Sequence, residues 1–473
     1  MTKYNVTGLS LSVLAAAVLS ACSLAPDYAR PDLAVENQWP NGVNPAGERK
    51  VTDLDWHDLF PDQRLQAVIE LALANNRDLR IAAARVEEAR GLYGVQRADR
   101  FPGIDASISR SGSRTPAAVA GTAKDVQVNR YDGSLNLLSF ELDFWGRVAN
   151  LSEAARASYL ASEENRHTVQ LGLIADVANA YLTLQEMEER SALAQQTVAT
   201  RGETRKLVAL RREVGVAGDL DFLTADGALE TAKADLANIE RQRLQAATAL
   251  TLLVGSTLPK DLPAPLPLSE QAIVPDLAAD LPSDVLLRRP DVKAAEQQLI
   301  AANANIGAAR AAFLPKIVLT GAFGSASPLL NGLFKSGTEA WSFTPSIHQP
   351  LFDWGRNSGN VDVAQARKVV AVASYEKTIQ TAFKEVADLL AARDTLIDQL
   401  KAQDANRKSQ DERLRLSEAR FKAGIASNLE LLDAQRDSFT AQQSSVQVRR
   451  QLLSTTAQLY KALGGSNEKA NAS

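Results

Sequence analysis

The chain has a single cysteine, Cys22, in 473 residues, so no disulfide can form within it. Aromatic residues make up only 5% of the chain, and this low share favours long helices over a thick globular core. The formal net charge is −4 and no basic cluster occurs, so there is no reason to expect a nucleic-acid partner. Beyond the N-terminus no charge-free apolar run reaches about 18 residues, which predicts no transmembrane helix.

Patterns that indicate catalysis or metal binding are scarce. The three histidines, His57, His167 and His348, have no cysteine or carboxylate at the spacing of metal ligands. The Ser-x-x-Lys pattern from Ser374 to Lys377 lies within a predicted helix and lacks its companion motifs. The sequence therefore predicts a protein that is not an enzyme and binds no metal.

The first residues, 1–21, form a predicted signal peptide. Lys3 supplies a positive charge, and residues 9–19 form an apolar core too short to span a bilayer. Leu19-Ser20-Ala21-Cys22 then resembles the lipobox of a bacterial lipoprotein, which implies that Cys22 becomes the acylated mature N-terminus. Ser23 follows, where an aspartate would indicate retention in the inner membrane, so the outer membrane is favoured. The alternative is an ordinary secretory signal with a chance cysteine.

The chain contains two related halves. Trp145-Gly146-Arg147 recurs as Trp354-Gly355-Arg356, 209 residues later. Further pairs at this spacing are Gly215 with Gly424, Leu220 with Leu429, Ala225 with Ala434 and Gly255 with Gly464. The earlier part repeats at a spacing of 213, as for Pro102 and Pro315, so the loops differ in length between Pro102 and Trp145. The two halves are therefore predicted to be two copies of one structural unit.

Domain boundaries follow from this duplication. The predicted segments are an N-terminal lipid-anchored extended segment 22–62, repeat 1 at 63–256, a proline-rich equatorial linker 257–282 without periodic pattern, and repeat 2 at 283–473.

Each repeat is predicted to contain a helix, two strands, a long helix and a return helix. Helical periodicity covers 63–99 in repeat 1. The period then changes to two, and this change predicts strands at 103–113 and 128–144 in repeat 1 and at 315–325 and 340–352 in repeat 2. The alternation slips by one residue between Leu137 and Phe140, as a β-bulge allows. Such strands suit a membrane barrel wall, and the alternative is a soluble hairpin packed on helices.

Four strands per chain cannot close a barrel. Because lipid does not tolerate an open sheet edge, several chains must share one barrel if these strands lie in a membrane. Each Trp-Gly-Arg turn precedes a helix of about 67 residues, or about 100 Å. This helix ends at Gly215 or Gly424, and a return helix of about 36 residues follows. End-to-end stacking of the return and opening helices beside the long helix would give a wall of even height.

These features together resemble the outer membrane factors of bacterial tripartite efflux systems, the TolC/OprM-like family, and especially its lipoprotein branch. The resemblance covers essentially the whole mature chain. Besides the lipobox, the motifs that carry it are Asn76-Arg77-Asp78-Leu79-Arg80, Glu141-Leu142-Asp143-Phe144-Trp145-Gly146-Arg147, Leu281-Pro282-Ser283-Asp284, Arg288-Arg289-Pro290-Asp291, Asn305-Ile306-Gly307-Ala308-Ala309-Arg310 and Leu431-Leu432-Asp433-Ala434-Gln435. The resemblance implies a mainly α-helical fold with a trimeric 12-stranded β-barrel, four strands per protomer, continuous with a long periplasmic α-helical barrel.

The resemblance also implies a periplasmic gate. Family members line their constriction with carboxylates near the helix turns, and the matching positions are Asp221, Glu430 and Asp433. In a trimer, each lumen-facing carboxylate forms a ring of three like charges that favours cations. The alternative is helix capping, because acidic residues in a first turn complement the helix dipole. We predict capping for Asp219, with Asn428 a second candidate cap, and the lumen for Glu430 and Asp433; Asp221 suits both.

The two turns resemble the tips that meet a periplasmic adaptor protein in this family. The matching residues are Val214, Gly215, Val216, Gly424, Ile425 and Ser427. The alternative is that both glycines serve only to adopt positive φ. Some relatives lock the closed tip with an arginine where this chain has Ala426, and have a tyrosine in place of Phe421, so closure here must rely on other contacts. Trp145 and Trp354 suit either an interfacial aromatic belt or turn packing.

The function implied by the resemblance is a gated, homotrimeric exit duct in the outer membrane, lipid-anchored and extending into the periplasm. Its expected partners are outer membrane lipid, the adaptor protein and an inner-membrane RND-type transporter, and its expected cargo is drugs or other small toxic compounds. No cofactor is expected apart from the covalent lipid on Cys22. Two alternatives stay open, namely the exit duct of a type I protein-secretion system and a lipid-anchored coiled-coil scaffold without a pore.

Overall fold

A computed structural model describes residues 23–32, 35–36, 39, 49–50, 55–271, 277–278 and 282–465. Cys22 and the predicted signal peptide lie outside these residues. The chain divides into two compact units. The first comprises residues 1–32, 85–163 and 294–376, and the second comprises 33–84, 164–293 and 377–473. Of the helices described, none has the length and apolar character that a membrane crossing requires.

The described residues form ten α-helices, six strands and one short 3-10 helix at Leu330–Gly332. The helices are α1 Trp56–Leu59, α2 Gln63–Asn75, α3 Arg77–Ala98, α4 Ala117–Ala120, α5 Arg147–Glu213, α6 Asp219–Val254, α7 Pro282–Arg288, α8 Pro290–Ala311, α9 Arg356–Lys422 and α10 Asn428–Ala462. The strands are β1 Arg49–Lys50, β2 Ile104–Thr115, β3 Val126–Leu142, β4 Leu277–Ala278, β5 Lys316–Ser327 and β6 Glu339–His348. The long helices α5 and α9 each contain 67 residues, as predicted.

The first unit contains one antiparallel sheet with the strand order β2-β3-β5-β6. Each repeat contributes one hairpin, and β3 of repeat 1 joins β5 of repeat 2, with Leu135 opposite Phe323 and Leu142 opposite Ile317. Strands β2 and β6 therefore form the edges of the sheet within one chain. Their outer backbone groups need partners from other chains if the sheet lies in lipid.

The predicted slip in the second strand is confirmed. The register between β3 and β5 shifts between Leu137 and Phe140, and Ser139 has a φ of 47°. The bounds of β3 differ slightly from the predicted 128–144, because residues after Leu142 form the turn into α5. There the Asp143 carboxylate accepts a hydrogen bond from the backbone N–H of Ala149 at 2.6 Å, which fixes the start of the helix.

The remaining strand bounds also shift from the prediction. Strands β2 and β5 extend to Thr115 and Ser327, two residues beyond the predicted ends at 113 and 325, because β3 continues the ladder with both, through Val126 and Tyr131. Strand β6 ends at His348 rather than at 352, since the ladder with β5 begins at Lys316 and offers no partner to later residues.

The two faces of the sheet differ sharply in character. Residues directly opposite each other on neighbouring strands share a face. One face carries exposed apolar side chains, which include Ile104, Ile108, Leu135, Phe323, Trp341, Phe343 and Ile347. The other face carries Asp105, Ser107, Ser134, Asn136, Thr320, Ser342 and Thr344. On this polar face, the amide of Asn136 donates to Ser107 at 2.9 Å. An apolar face left exposed suits contact with lipid.

The second unit corrects the single helix predicted over 63–99. Asn76 separates α2 from α3 with a ψ of 135°. Its side chain accepts from the N–H of Leu79 at 2.9 Å and donates to the carbonyl of Leu253 at 2.8 Å. The end of α6 abuts this break, because a Cβ added to Gly255 would lie 2.6 Å from the carbonyl oxygen of Asn75. The C-terminal end of α6 therefore lies at the break between α2 and α3.

Arg289 takes the same place in repeat 2, between α7 and α8. Only 7% of this residue is exposed. Its guanidinium donates to the carbonyl of Ala462 at 2.6 Å, to Asp291 at 2.8 Å and to Glu385 at 2.9 Å. Asn76 and Arg289 are related by the repeat spacing of 213, and the carbonyls that they bind by the spacing of 209. A neutral side chain thus caps the return helix in one repeat, and a charged one does so in the other.

A buried apolar core surrounds these helix ends in the second unit. Its largest fully buried members include Leu65, Ile69, Ile174, Tyr181, Leu250 and Tyr460. The Tyr181 hydroxyl donates to the buried carboxylate of Asp62 at 2.7 Å, and Gln271 donates to the same carboxylate at 3.1 Å. The linker is therefore fastened to the core at Gln271, and the short strand β4 within it pairs in parallel with β1.

In the first unit, the N-terminal segment packs along α8. The Arg310 guanidinium donates to the carbonyl of Leu24 at 3.2 Å, and Arg30 forms a two-bond ion pair with Glu296 at 2.8 and 3.0 Å. Gly307 is needed for this close approach, because a Cβ there would lie 2.7 Å from the backbone nitrogen of Ala25. The segment predicted as extended at 22–62 also contains the short helix α1.

Candidate gate and docking site at the helix turns

The two turns that join the long and return helices have the same geometry. Gly215 and Gly424 both have a φ of 78°. After each glycine, a backbone N–H bonds back to the carbonyl of an arginine six positions up the chain, with Ala217 bound to Arg211 at 3.2 Å and Ala426 bound to Arg420 at 3.3 Å. Open space surrounds the Cβ positions of both glycines. Positive φ, not crowding, is therefore what requires glycine at these positions.

The cap of α6 differs from the predicted one. Gly218 is the N-cap, and the Asp221 side chain accepts from its backbone N–H at 3.3 Å. Asp219, predicted as the cap, instead pairs with Arg212 at 2.6 Å. The prediction was wrong because a side chain at the third helical position can reach back to the cap, as in a capping box, whereas the first position cannot.

The cap of α10 also differs from the prediction. Ser427, not Asn428, is the N-cap, and its hydroxyl accepts from the N–H of Glu430 at 3.2 Å. Asn428 is buried, and its side-chain amide donates to the backbone carbonyl of Asp221 at 3.1 Å. This hydrogen bond joins the turn of repeat 2 to the turn of repeat 1.

A small apolar cluster packs behind the two turns. Its buried members are Val208, Ala225, Phe421, Ala426 and Leu431. Both repeats contribute, so the cluster holds the two turns of one chain against each other. Ala426 is buried here as a packing residue.

Arg211 provides a third link between the two turns. Its guanidinium donates to the carbonyl of Phe421 at 3.1 Å and lies 4.4 Å from the centre of the Phe421 ring. The ring thus receives a cation–π contact, although it lacks the hydroxyl of a tyrosine. We did not predict this contact, because Arg211 and Phe421 are 210 positions apart. Neither repeat spacing relates them.

Each carboxylate of the predicted gate on α10 has a nearby arginine. Glu430 lies 3.6 Å from Arg420, and Asp433 lies 3.1 Å from Arg436. Both carboxylates are more than one-third exposed, so these pairs contribute little to stability. The arginines instead make the electrostatic potential around each carboxylate less negative, because a positive charge lies beside each negative one. Both arginines lie within ten residues of their carboxylates in the sequence, so these pairs could have been predicted.

The tips of the two turns expose apolar side chains. Val214, Val216 and Ile425 are 74%, 72% and 72% exposed. Leu220 and Leu429, a matched pair in the repeats, are also exposed. An apolar edge of this kind, with bare glycine backbone beside it, can bury area against another protein.

The chemistry available at the turns is limited to charge and shape. Across the part of the chain that the structure describes, no group of three or more His, Cys, Asp or Glu side chains is arranged to hold a metal ion. Carboxylates, arginines and apolar tips can bind, repel or close, and the sheet adds a wall with one apolar and one polar face. These features define an outer-membrane channel.

The family of outer membrane efflux proteins matches residues 68–256 and 281–465, and the chain belongs to this family. A toluene efflux pump outer membrane protein of Pseudomonas putida, TtgC, is 43% identical over 461 residues, which cover 97% of this chain and 95% of that protein. The outer membrane protein OprJ of Pseudomonas aeruginosa is 41% identical, with 96% of this chain and 95% of OprJ covered.

Solved structures agree with this family. The open state of the MtrE outer membrane channel of Neisseria gonorrhoeae matches with a TM-score of 0.87 and 42% identity, over 94% of this chain and 98% of that one. The resemblance stated from the sequence is therefore confirmed, as are the predicted fold class and the absence of enzymatic activity. The chain is an outer-membrane efflux channel, so the alternative of a scaffold without a pore is wrong.

Proposed function

We propose that this chain is the homotrimeric exit duct of a tripartite, RND-type efflux pump that exports drugs or other small toxic compounds. One observation carries the proposal: each chain supplies a four-stranded sheet with an apolar and a polar face, joined to helices of 67 residues. Three such sheets give a closed barrel of twelve strands, which leaves no open edge in lipid. The name of the toluene efflux relative supports small apolar cargo.

The duct is passive in this proposal. Its polar sheet face lines a water-filled lumen, so passage is selected by size and charge, and an inner-membrane transporter supplies energy and substrate choice. The apolar tips at Val214, Val216 and Ile425 meet a periplasmic adaptor protein, together with Gly215, Gly424 and Ser427. Docking through these tips is supported by their exposure and by the matching geometry of the two turns.

The function is tested by deleting the gene and restoring it on a plasmid. Deletion is expected to raise sensitivity to toluene, dyes and several antibiotics, and the plasmid copy restores resistance. Unchanged sensitivity to all of these compounds, with loss of one secreted protein instead, would contradict the proposal and favour a type I secretion duct. Profiling bile salts and metals in the same assay defines the cargo.

The lipid on Cys22 is part of the proposal. The lipobox supports it. The residues that follow Cys22 support it as well, because Leu24 and Ala25 contact Arg310 and Gly307 of α8 and so fix the position of the chain next to Cys22. Labelled palmitate fed to cells is expected to enter the protein, and Cys22→Ser is expected to abolish the label. Ser23→Asp is the matched control, which keeps the label but shifts the protein toward the inner membrane. Absence of label in the unmodified protein contradicts the anchor.

The gate is tested by removing charge without changing size. Glu430→Gln with Asp433→Asn is expected to lower the cation preference of single channels toward unity and to raise leakage of large antibiotics, because the rings of charge and their arginine pairs are lost. Asp219→Asn is the matched control, because that carboxylate pairs with Arg212 within its own turn. Unchanged cation preference and conductance in the double variant would reject these residues as the gate.

A further inference from the structure

The apolar face of the first hairpin changes character at one rung of the ladder between β2 and β3. On the side nearer to α3 and α5, this face of β2 carries Ile104, Ala106 and Ile108. At the rung itself, Arg110 lies opposite Tyr131. Toward the hairpin turn, the same face carries side chains that donate hydrogen bonds, namely Asn129, Arg114 and Gln127. The change marks the level at which this face leaves the apolar layer of the membrane.

Aromatic side chains gather around this rung. Tyr131 lies on it, and the exposed Phe334 covers the neighbouring rung, where a Cβ added to Gly133 would lie 3.3 Å from its ring. Trp341 on β6 is exposed on the same face. Aromatic residues collect at membrane–water interfaces. The hairpin turn lies at the end of the strands away from α3 and α5. In the proposed duct, whose helices extend into the periplasm, this interface therefore belongs to the outer leaflet.

Arg110 differs from the other two arginines of the hairpin in its partners. Arg114 pairs with Asp125 at 2.5 Å, and Arg130 pairs with Asp132 at 2.7 Å. Arg130 and Asp132 lie on the polar face, because they stand opposite serines of β2. Among the residues that the structure describes, no carboxylate forms an ion pair with Arg110. An exposed positive charge thus stands at the border of the apolar layer without a negative partner.

An apolar groove lies on the same face, on the side of the rung nearer to the helices. Its volume is about 430 Å³, and the side chains that line it include Ile104, Leu135, Leu137, Phe323 and Trp341. Gly321 also lines the groove and leaves it open, because a Cβ there would lie 3.8 Å from the Phe343 ring. A groove of this kind suits a hydrocarbon chain. With the charge of Arg110 beside it, the surface matches a molecule with an apolar tail and an anionic head.

We propose that this face binds a phosphorylated lipid of the outer leaflet, with a phosphate group on Arg110 and an acyl chain in the groove. A guanidinium can donate two parallel hydrogen bonds to phosphate, and anionic head groups attract arginine at a membrane surface. The Tyr131 ring holds the guanidinium through a cation–π contact, at 5.6 Å from the ring centre. The proposal rests on the orientation of the sheet in the proposed function, with its apolar face toward lipid.

A lipid fits this surface better than free phosphate does. Inorganic phosphate offers the same oxygens to Arg110 but leaves the apolar groove empty. The groove and the arginine lie on one face of the same sheet, so one lipid molecule can reach both. The polar face of the hairpin offers no such combination, because its arginine already has a carboxylate partner.

Lipid titration of the purified trimer in detergent tests the site. The probe is lipopolysaccharide, a phosphorylated glycolipid, and native mass spectrometry measures its binding. Arg110→Gln is expected to weaken binding about tenfold, because hydrogen bonds from a charged donor to phosphate are lost. Arg130→Gln is the matched control, since it makes the same change on the polar face of the same hairpin, and its affinity is expected to be unchanged. Lipopolysaccharide stripped of phosphate is expected to bind the unmodified protein as weakly as intact lipid binds Arg110→Gln.

Three results would overturn the site. The first is an equal loss of affinity in Arg110→Gln and Arg130→Gln, and the second is equal affinity for the intact and the stripped lipid. The third is displacement of the lipid by inorganic phosphate, which would show that a free anion suffices. If Arg110→Gln does not assemble, Arg110→Lys replaces it, because lysine keeps the charge and loses only the paired geometry. Full affinity in Arg110→Lys overturns the paired contact.

The efflux assay separates failure of this site from failure of the duct. A deletion strain that carries the Arg110→Gln copy is expected to regain resistance, because the site lies on the lipid side of the wall. Restored resistance together with unchanged lipid binding in this variant overturns the lipid site and leaves the duct intact. If the unmodified copy restores no resistance, the proposed function itself is contradicted.

Discussion

Arg289→Ala is expected to lower the free energy of unfolding by about 3 kcal/mol, because it removes one partner from a buried ion-pair network. The guanidinium binds two carboxylates and the end of α10, and only 8% of its side chain is exposed. Burial alone would lower the pKa of Arg289, but hydrogen bonds and charge from Asp291 and Glu385 raise it, so the arginine stays charged. Without it, the two carboxylates and the Ala462 carbonyl lose their common partner.

Asn76→Ala provides the matched control for this prediction. Asn76 occupies the corresponding place in repeat 1 and makes a neutral hydrogen bond to Leu253. Its removal is expected to cost about 1 kcal/mol for this bond and about 1 kcal/mol for the lost cap at the N–H of Leu79. Urea unfolding of the purified protein in detergent, followed by helical circular dichroism, measures both. Equal losses for the two variants would contradict a special contribution from the charged cap.

The sequence predicted those parts of the fold that local patterns determine. The strands and the slip before Phe140 were visible as alternation, because one face of each strand differs in polarity from the other. The long helices were visible from their boundaries, Trp-Gly-Arg at one end and Gly215 or Gly424 at the other. Each of these signals lies within a few residues of the feature that it predicts.

The break between α2 and α3 at Asn76 could not be predicted from local patterns. The helical period of apolar residues continues across it, and asparagine is tolerated within helices. What interrupts the helix is a distant contact, because the end of α6 at Leu253 and Gly255 meets the chain there. A sequence pattern cannot show which carbonyl a side chain 177 positions away will bind.

The acidic residues and the tips of the candidate site are predictions from the sequence, whereas its cationic contacts were found only in the structure. Asp221, Glu430 and Asp433 were recognised through motifs of the family. Arg211 and Arg212 are neighbours in sequence with identical side chains, and nothing local distinguishes them. Only the fold shows that one of them bridges the two turns and the other stays within its own turn.

Arg211→Ala is therefore expected to loosen the tip far more than other single changes at the turns. A hydrogen bond from a charged donor and a cation–π contact together contribute about 2 kcal/mol. If the proposed gate is closed by this link, its loss changes the ratio of closed to open tips by about thirtyfold, since about 1.4 kcal/mol corresponds to a factor of ten. Single-channel recording is expected to show frequent opening, and cells to admit large antibiotics that are normally excluded.

Arg212→Ala is the control that makes this result specific. This substitution removes the same charge one position away. Arg212 contacts only the carboxylate of Asp219 and the ring of Phe222 among the contacts described here, and both residues belong to repeat 1. Closed channels and normal antibiotic exclusion are expected in this variant. If both variants leak equally, positive charge at the tip controls closure, and the link to Phe421 does not. If neither leaks, the apolar cluster around Ala426 and the bond from Asn428 to Asp221 suffice to hold the two turns together.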